Sequence, residues 1–271
     1  MKGDNRRKYG LGFHIGYHLR DKLTIAFKTN FSLTDSENSP YGTFSDYVAL
    51  NPYEPIRDEN GEYIRNYYFN PYDTSSSKMA NPLYDATLSS FSKARNQSMT
   101  NSLTARWNIT KYFYVTGQGS ISINSGSTDT YTSPDAAKYE KTTDISQKGE
   151  YAYSNRNGNT FSGKIVVNYG MPIGKGGSMF RVSGGSNMQY THSTSARAVG
   201  MGFLKDELND ISFAMGYPTS GHPTGTDRIA TEVGFFVNGN FSLLNRYFVD
   251  ASYRSSGSSR FGADNSFAPF W

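Results

Sequence analysis

The residues able to do chemistry are few in this 271-residue chain, which has four histidines, no cysteine and a formal net charge of +4. Without cysteine there is no thiolate nucleophile, thiolate metal site or disulfide. His14 and His18 share a face of an alternating stretch, but four strand residues separate them by about 13 Å, too far for one metal ion. His192 and His222 fall in what reads as a long polar loop, where lone histidines are expected to be solvated rather than ligands. Gly170 to Gly176, GMPIGKG, superficially matches a phosphate loop. It is one residue short between the glycines and has no Ser or Thr directly after Lys175, so it reads as a short hairpin turn. Asp58-Glu59-Asn60-Gly61-Glu62 lacks the alternating ligands and distal Glu of an EF-hand and reads as a β-turn. No Ser, His and acid share a context such as G-x-S-x-G. Catalysis is therefore not the expected activity, and neither a cofactor nor a metal is expected.

Tyrosine is the more telling residue, with 21 Tyr and 18 Phe in a chain that is only 36% hydrophobic. Tyr41, Tyr53, Tyr63, Tyr67, Tyr68, Tyr151 and Tyr153 fall in polar stretches between apolar runs. Rings so placed can stack on sugars or on peptide side chains, and these seven are the candidate substrate-binding residues. They can equally pack loops together or form interfacial girdles.

The elements that must position them alternate with period two, as strands do. Tyr9, Leu11, Phe13, Ile15, Tyr17 and Leu19 oppose Gly10, Gly12, His14, Gly16 and His18. After a tight Arg20-Asp21 turn, Leu23, Ile25, Phe27, Phe31 and Leu33 oppose Lys22, Thr24, Lys28, Asn30 and Ser32. Six further strands follow, at Ser98 to Asn108, Phe113 to Ile123, Phe161 to Tyr169, Phe180 to Tyr190, Val233 to Phe241 and Tyr247 to Arg254. Each runs for roughly ten residues, long enough to cross a bilayer when tilted. The connections alternate short and long. The long ones are residues 34–95, 124–158 and 191–230, the last with a short helix expected around Phe203 to Ile211. A structureless segment as long as 34–95 is unusual in a compact soluble domain but expected on the outer face of a membrane barrel.

The eight apolar faces hold about 45 positions and no charged residue, although 18% of the chain is charged. The opposite faces carry Lys22, Lys28, Arg106, Lys164, Arg181, Glu232, Asp250 and Arg254. A Lys or Arg facing lipid at midplane costs roughly 2–4 kcal/mol, which is a physical reason for the segregation. No run approaches the 18 consecutive apolar residues of a transmembrane helix. A soluble β-sandwich also alternates, but its strands average about five or six residues and its loops need not be sorted by length. Net charge is too modest for nucleic acid to be the expected partner. Its distribution is uneven, since residues 34–95 hold nine acids and five bases. The expected fold is all-β, an antiparallel transmembrane β-barrel segment of about eight long strands, with outer-membrane lipid around it.

Asn245 to Arg254, NRYFVDASYR, then Gly257 to Gly262, GSSRFG, and the aromatic Phe267 to Trp271 resemble a signature of the SusC/RagA family, TonB-linked outer-membrane transporters of Bacteroidota. Ser256 stands where the family usually has Asp, and Ala268 where it often has Gly, so that loop is assigned no ligand role. Asn51-Pro52-Tyr53-Glu54-Pro55 and Asn81-Pro82-Leu83 resemble the family's first long loop of this region. The resemblance implies that residues 1–271 are a partial barrel domain, an open arc of a larger barrel of about 22 strands, with signal peptide, plug and C-terminal strands outside it. It implies short periplasmic turns and long extracellular loops in the cell outer membrane. It also implies import of glycan or peptide oligomers with a SusD-like surface lipoprotein, energised by the TonB complex. The alternative is a complete eight-stranded barrel acting as an adhesin or structural protein, which would require the first strand to pair with the last.

Overall fold

The computed structural model describes residues 3–48, 50, 53, 55–68, 78–174, 176–261 and 267–271. In chain order the elements are β1 (Asn5–Leu19), β2 (Leu23–Glu37), α1 (Phe44–Val48), β3 (Asn66–Tyr68), β4 (Lys78–Ala80), α2 (Pro82–Asp85), β5 (Phe91–Asn108) and β6 (Phe113–Thr132). Then come β7 (Glu150–Ile173), β8 (Ser178–Met201), β9 (Thr224–Leu243), β10 (Tyr247–Ser258) and β11 (Phe267–Phe270). One antiparallel sheet of nine strands has the order β1-β2-β5-β6-β7-β8-β9-β10-β11, and β3 and β4 form a separate pair. Every strand of the large sheet neighbours its sequence successor in that sheet, so the chain meanders. β1 pairs with β2 and lies at the opposite edge from β11, so the sheet does not close on itself as a complete small barrel requires. The eight long strands expected are present, and a ninth, short strand, β11, pairs with β10 from Arg254 opposite Phe270 to Gly257 opposite Phe267.

The register carries each side-chain alternation unbroken across the sheet. Leu19, Leu23, Trp107, Val115, Val167, Gly184, Val237 and Tyr253 lie opposite one another in turn as one outward row. One residue along, His18, Thr24, Arg106, Thr116, Val166, Gly185, Phe236 and Arg254 form an inward row. Many outward residues are large, apolar and exposed, Leu11, Ile15, Leu103 and Ile165 among them. Rows of exposed aliphatic and aromatic side chains on a continuous sheet are the surface that lipid covers. From Leu23 to Leu33 the apolar stretch of β2 covers roughly 33 Å of strand. At the usual barrel tilt this is about 25 Å of height, the thickness of an outer-membrane apolar band.

The strands are longer than the alternation predicts, reaching 24 residues in β7 and β8. Residues 34–37, 91–95, 124–132, 150–158, 191–201 and 224–230 belong to strands, not to loops. Above the apolar band the outward positions become Asp35, Arg95, Asn157 and His192, yet the backbone ladder continues through them. Polar outward positions do not interrupt pairing; they only remove the apolar alternation by which a strand is recognised. Side chains then bond along the polar face, Ser125 donating to Asn157 Oδ1 at 2.8 Å and Asn157 Nδ2 to Asn155 Oδ1 at 3.0 Å.

The short turns are tight. Between β9 and β10, Leu244 and Asn245 both have positive φ, 53° and 54°, and Arg246 N–H donates to Leu243 C=O at 2.9 Å. This is a type I′ turn, whose twist matches that of paired strands. The expected turn after β7 is present, with Gly174 and Gly177 at φ 67° and 76°. The helix expected around Phe203 to Ile211 is not there; that region holds a single 3-10 turn, Ile211–Phe213, capped by Asp210 Oδ1 accepting from Ser212 N–H. Phe203 is 1% exposed and anchors the loop instead of opening a helix. The α-helical turns lie in the first long connection. There Asn81 caps α2 by accepting from Leu83 N–H, and Pro82 occupies a position where a missing N–H costs nothing.

Candidate functional site at the loop end

Three connections, residues 38–90, 133–149 and 202–223, emerge at the same end of the sheet and are tied together. The tie begins with aromatic residues that keep the outward parity of the strands. Tyr131 at the end of β6 (1% exposed) and Tyr151 near the start of β7 meet Phe203 of the third connection, with Phe91, Tyr153 and Ala214 packed around them. The Tyr131 ring meets Phe203 edge-on at 5.3 Å between centroids, and Phe91 meets Tyr151 edge-on at 6.1 Å. Two glycines admit this packing. A Cβ at Gly149 would lie 2.9 Å from Phe203 Cβ, and one at Gly200 2.6 Å from Ala214 Cβ.

Polar contacts complete the joint. Asp206 of the third connection accepts from Ser89 N–H at 3.0 and 2.9 Å and from the Ser89 hydroxyl at 2.9 Å. Asp85 of the first accepts from Ala137 N–H of the second at 2.8 Å, and Arg65 Nη2 donates to Ala136 C=O at 2.8 Å. Phe203 N–H donates to Lys148 C=O at 2.9 Å, and the Tyr131 hydroxyl to Asp206 C=O at 3.1 Å. Burial pushes the Asp85 carboxyl above its ordinary value, partly offset by the Ala137 N–H and by the Arg65 and Lys138 charges. Burial raises the Tyr139 hydroxyl to about 12, and that hydroxyl has no partner among the described residues. On the exposed turns the sign reverses. Hydrogen bonds from Thr43, Ser146 and Ser212 hold the carboxyls of Asp46, Asp144 and Asp210 below the usual range.

The seven tyrosines divide. Tyr151 and Tyr153 lie on β7 rather than in a loop. The Tyr151 ring is buried in the aromatic cluster and its hydroxyl donates to Asp129 Oδ1 at 2.9 Å. Tyr153 packs beside it and accepts from Asn155 Nδ2 at 3.4 Å. Tyr41 is half-buried, its C=O accepting from the Tyr47 hydroxyl at 2.7 Å. The Arg57 guanidinium lies 3.8 Å above the half-buried Tyr63 ring. Tyr53 is 93% exposed. Tyr67 and Tyr68 have backbone in β3, and their side chains lie outside the described residues, as do Asn51, Pro52, Glu54 and the Gly262 of GSSRFG. The cluster residues Phe91, Tyr131 and Phe203 escape a reading by apolar alternation, though Phe91 and Tyr131 keep the outward parity of their strands.

The remaining motifs resolve as turns and surface pairs. Asp58 Oδ1 accepts from Asn60 and Glu62 N–H, both at 2.9 Å, and Gly61 takes φ 83°, closing a turn. His192 lies on β8, not in a loop, and its Nε2 sits 2.7 Å from Asp227 Oδ1 on β9, so its partner is not His222. No group of three or more His, Asp or Glu able to hold a metal occurs among the described residues.

No family model matches the sequence. TonB-dependent receptor P26 of Formosa agariphila is 21% identical over 268 residues, 98% of this chain and 26% of that protein. The chain thus spans about a quarter of the curated relative it matches. Among solved structures, the RagAB peptide transporter superposes with a TM-score of 0.75 at 18% identity, over 98% of this chain and 29% of the other. The ferric-catecholate import receptor Fiu of E. coli matches with a TM-score of 0.52 at 11% identity, over 95% and 38%. The fold is that of an outer-membrane TonB-dependent barrel wall, and the resemblance to SusC/RagA transporters is borne out by these matches over the whole chain.

Proposed function

We propose that residues 1–271 form part of the wall of a TonB-dependent outer-membrane transporter that imports glycan or peptide oligomers. One observation carries the reading: an open arc, apolar outside and polar inside, has its three long connections locked into one layer at a single end. In this reading that end is extracellular and the tight turns are periplasmic. A SusD-like lipoprotein sits over the loops, and TonB acts through regions outside this chain. Tyr53, Tyr41 and Tyr63 remain candidates for contact with cargo or partner, as do Tyr67 and Tyr68. Tyr151 and Tyr153 serve by holding the layer that presents them.

The first connection also offers an apolar surface for the lipoprotein. Phe44 and Val48, four residues apart on one face of α1, are 74% and 67% exposed. The test replaces Phe44, Val48 and Tyr53 together by Ser in the complete transporter. Co-purification of the lipoprotein should fall by about tenfold or more, as expected when buried apolar anchors are removed from an interface, with barrel assembly unchanged. Undiminished co-purification and uptake would overturn the assignment of that surface.

A further inference from the structure

The inward face of the loop half of the sheet segregates charge by sign. One hydrogen-bonded row runs Arg6, Ser36, Ala94, Thr128, Ser154, Arg197, Thr224 across seven strands. The next row towards the turns is Lys8, Thr34, Asn96, Gly126, Arg156, Ser195, Thr226, and the third places Arg228 opposite Ser193 beside Gly158, Asn124 and Ser98. These three rows hold five cations and no carboxylate. Glu150, near the loop edge, and Glu232, lower on β9, lie outside them. At the same height the strand carboxylates point outward and are partnered: Asp35 with Arg95, Glu37 with Lys93, Asp227 with His192. Arg156, Arg197 and Arg228 are exposed and form no ion pair with a carboxylate of the described residues.

Arg156 and Arg197 line a concave cleft of about 810 Å³ whose other walls are Asn, Ser, Thr, Gln, Gly and Ala. Arg156 and Arg197 are diagonal neighbours on paired strands, about 7–8 Å apart at the backbone. Arg228 lies two strands from Arg156 and two residues lower, roughly 12 Å away. Fixed cations at such separations, surrounded by neutral hydrogen-bonding groups, match several carboxylates along one oligomer rather than one small anion. The three rows contain no aromatic residue, so they offer no platform on which a sugar ring could stack. We propose that this wall receives an acidic peptide, its side-chain carboxylates spanning Arg156, Arg197 and Arg228. The inference rests on the transporter reading and names the cargo class for it.

The test uses the complete transporter in outer-membrane vesicles with fluorescein-labelled decapeptides of alternating Glu-Ser or Gln-Ser, and a galacturonate decamer. At about 0.05 M salt the Glu peptide should bind at least tenfold more tightly than the Gln peptide. That margin should collapse at about 1 M salt, where the screening length is about 3 Å. The triple variant Arg156→Gln, Arg197→Gln, Arg228→Gln should lose the margin and leave Gln-peptide binding unchanged. Equal affinity for the two peptides, an unaffected triple variant, or tighter binding of the galacturonate each overturn the proposal. A transporter that imports the Gln peptide equally well removes the charge inference alone. Absence of the protein from the outer-membrane fraction removes the transporter reading and the cargo class with it.

Discussion

At the scale of the residue, single side chains at the loop end do opposite things with similar chemistry. Asp144 and Asp210 accept N–H bonds at the starts of exposed 3-10 turns, and these bonds lower their carboxyl values. Asp85 accepts the same kind of bond from Ala137, but burial outweighs it and the value rises. For the lowered pair, the stabilisation is present above the ordinary value of 3.8 and is lost as pH falls through the folded value. For Asp85 the sign is opposite: the folded loop favours the protonated form, so its contribution is full below 3.8 and declines as pH rises through the raised value. Acidification below pH 3.8 should therefore lower the protection of the Ser146 and Ser212 amides relative to their intrinsic exchange rate at each pH, while leaving Ala137 protected. Hydrogen exchange followed from neutral to acid pH checks this, and equal loss at all three amides would contradict it. Gly185 shows what a missing side chain permits, because a Cβ there would lie 2.2 Å from Ile165 C=O and 3.0 Å from Phe236 Cζ. The Phe236 ring takes that space on the inward face.

At the scale of the element, strand parity decides which substitutions are tolerated. Leu103 and Thr104 are neighbours on β5, the first outward beside Phe27 and Gly119, the second inward beside Ala26 and Gln118. Leu103→Arg places a charge in lipid and should cost about 2–4 kcal/mol, whereas Thr104→Arg faces the polar interior and should cost under about 1 kcal/mol. Denaturant midpoints of the assembled transporter distinguish the two, and similar costs would mean that the faces are misassigned. The polar extensions follow the same parity with other chemistry. Outward Asp35 and Glu37 stand above the apolar band, where Arg95 and Lys93 meet them in water. The same pairs at midplane would carry the cost of burying charge in hydrocarbon.

At the scale of the molecule, the sheet supplies a wall and the loops supply a single body. Phe203 is its keystone, 1% exposed and in contact with Tyr131, and its neighbours Lys205 and Asp206 bond back to β6 and to Ser89. Phe203→Ala should cost about 3–5 kcal/mol locally. If the layer is one body, exchange should rise together in residues 82–90, 133–149 and 202–216, while the strand amides between Leu23 and Leu33 stay protected. A rise confined to residues 202–216 would show three independent loops. The period-two alternation by itself determined the eight long strands of the large sheet, the turn sites and the lipid-facing side, because a charge in hydrocarbon is costly whatever its neighbours are. Two features needed the tertiary structure. Strands that rise above the apolar band lose their alternation but keep their backbone bonds, so Tyr151 and Tyr153 look like loop residues until the ladder places them on β7. The joint among residues as distant in sequence as Ser89 and Asp206 follows no spacing rule, since it depends on three loops being brought to one end of one sheet.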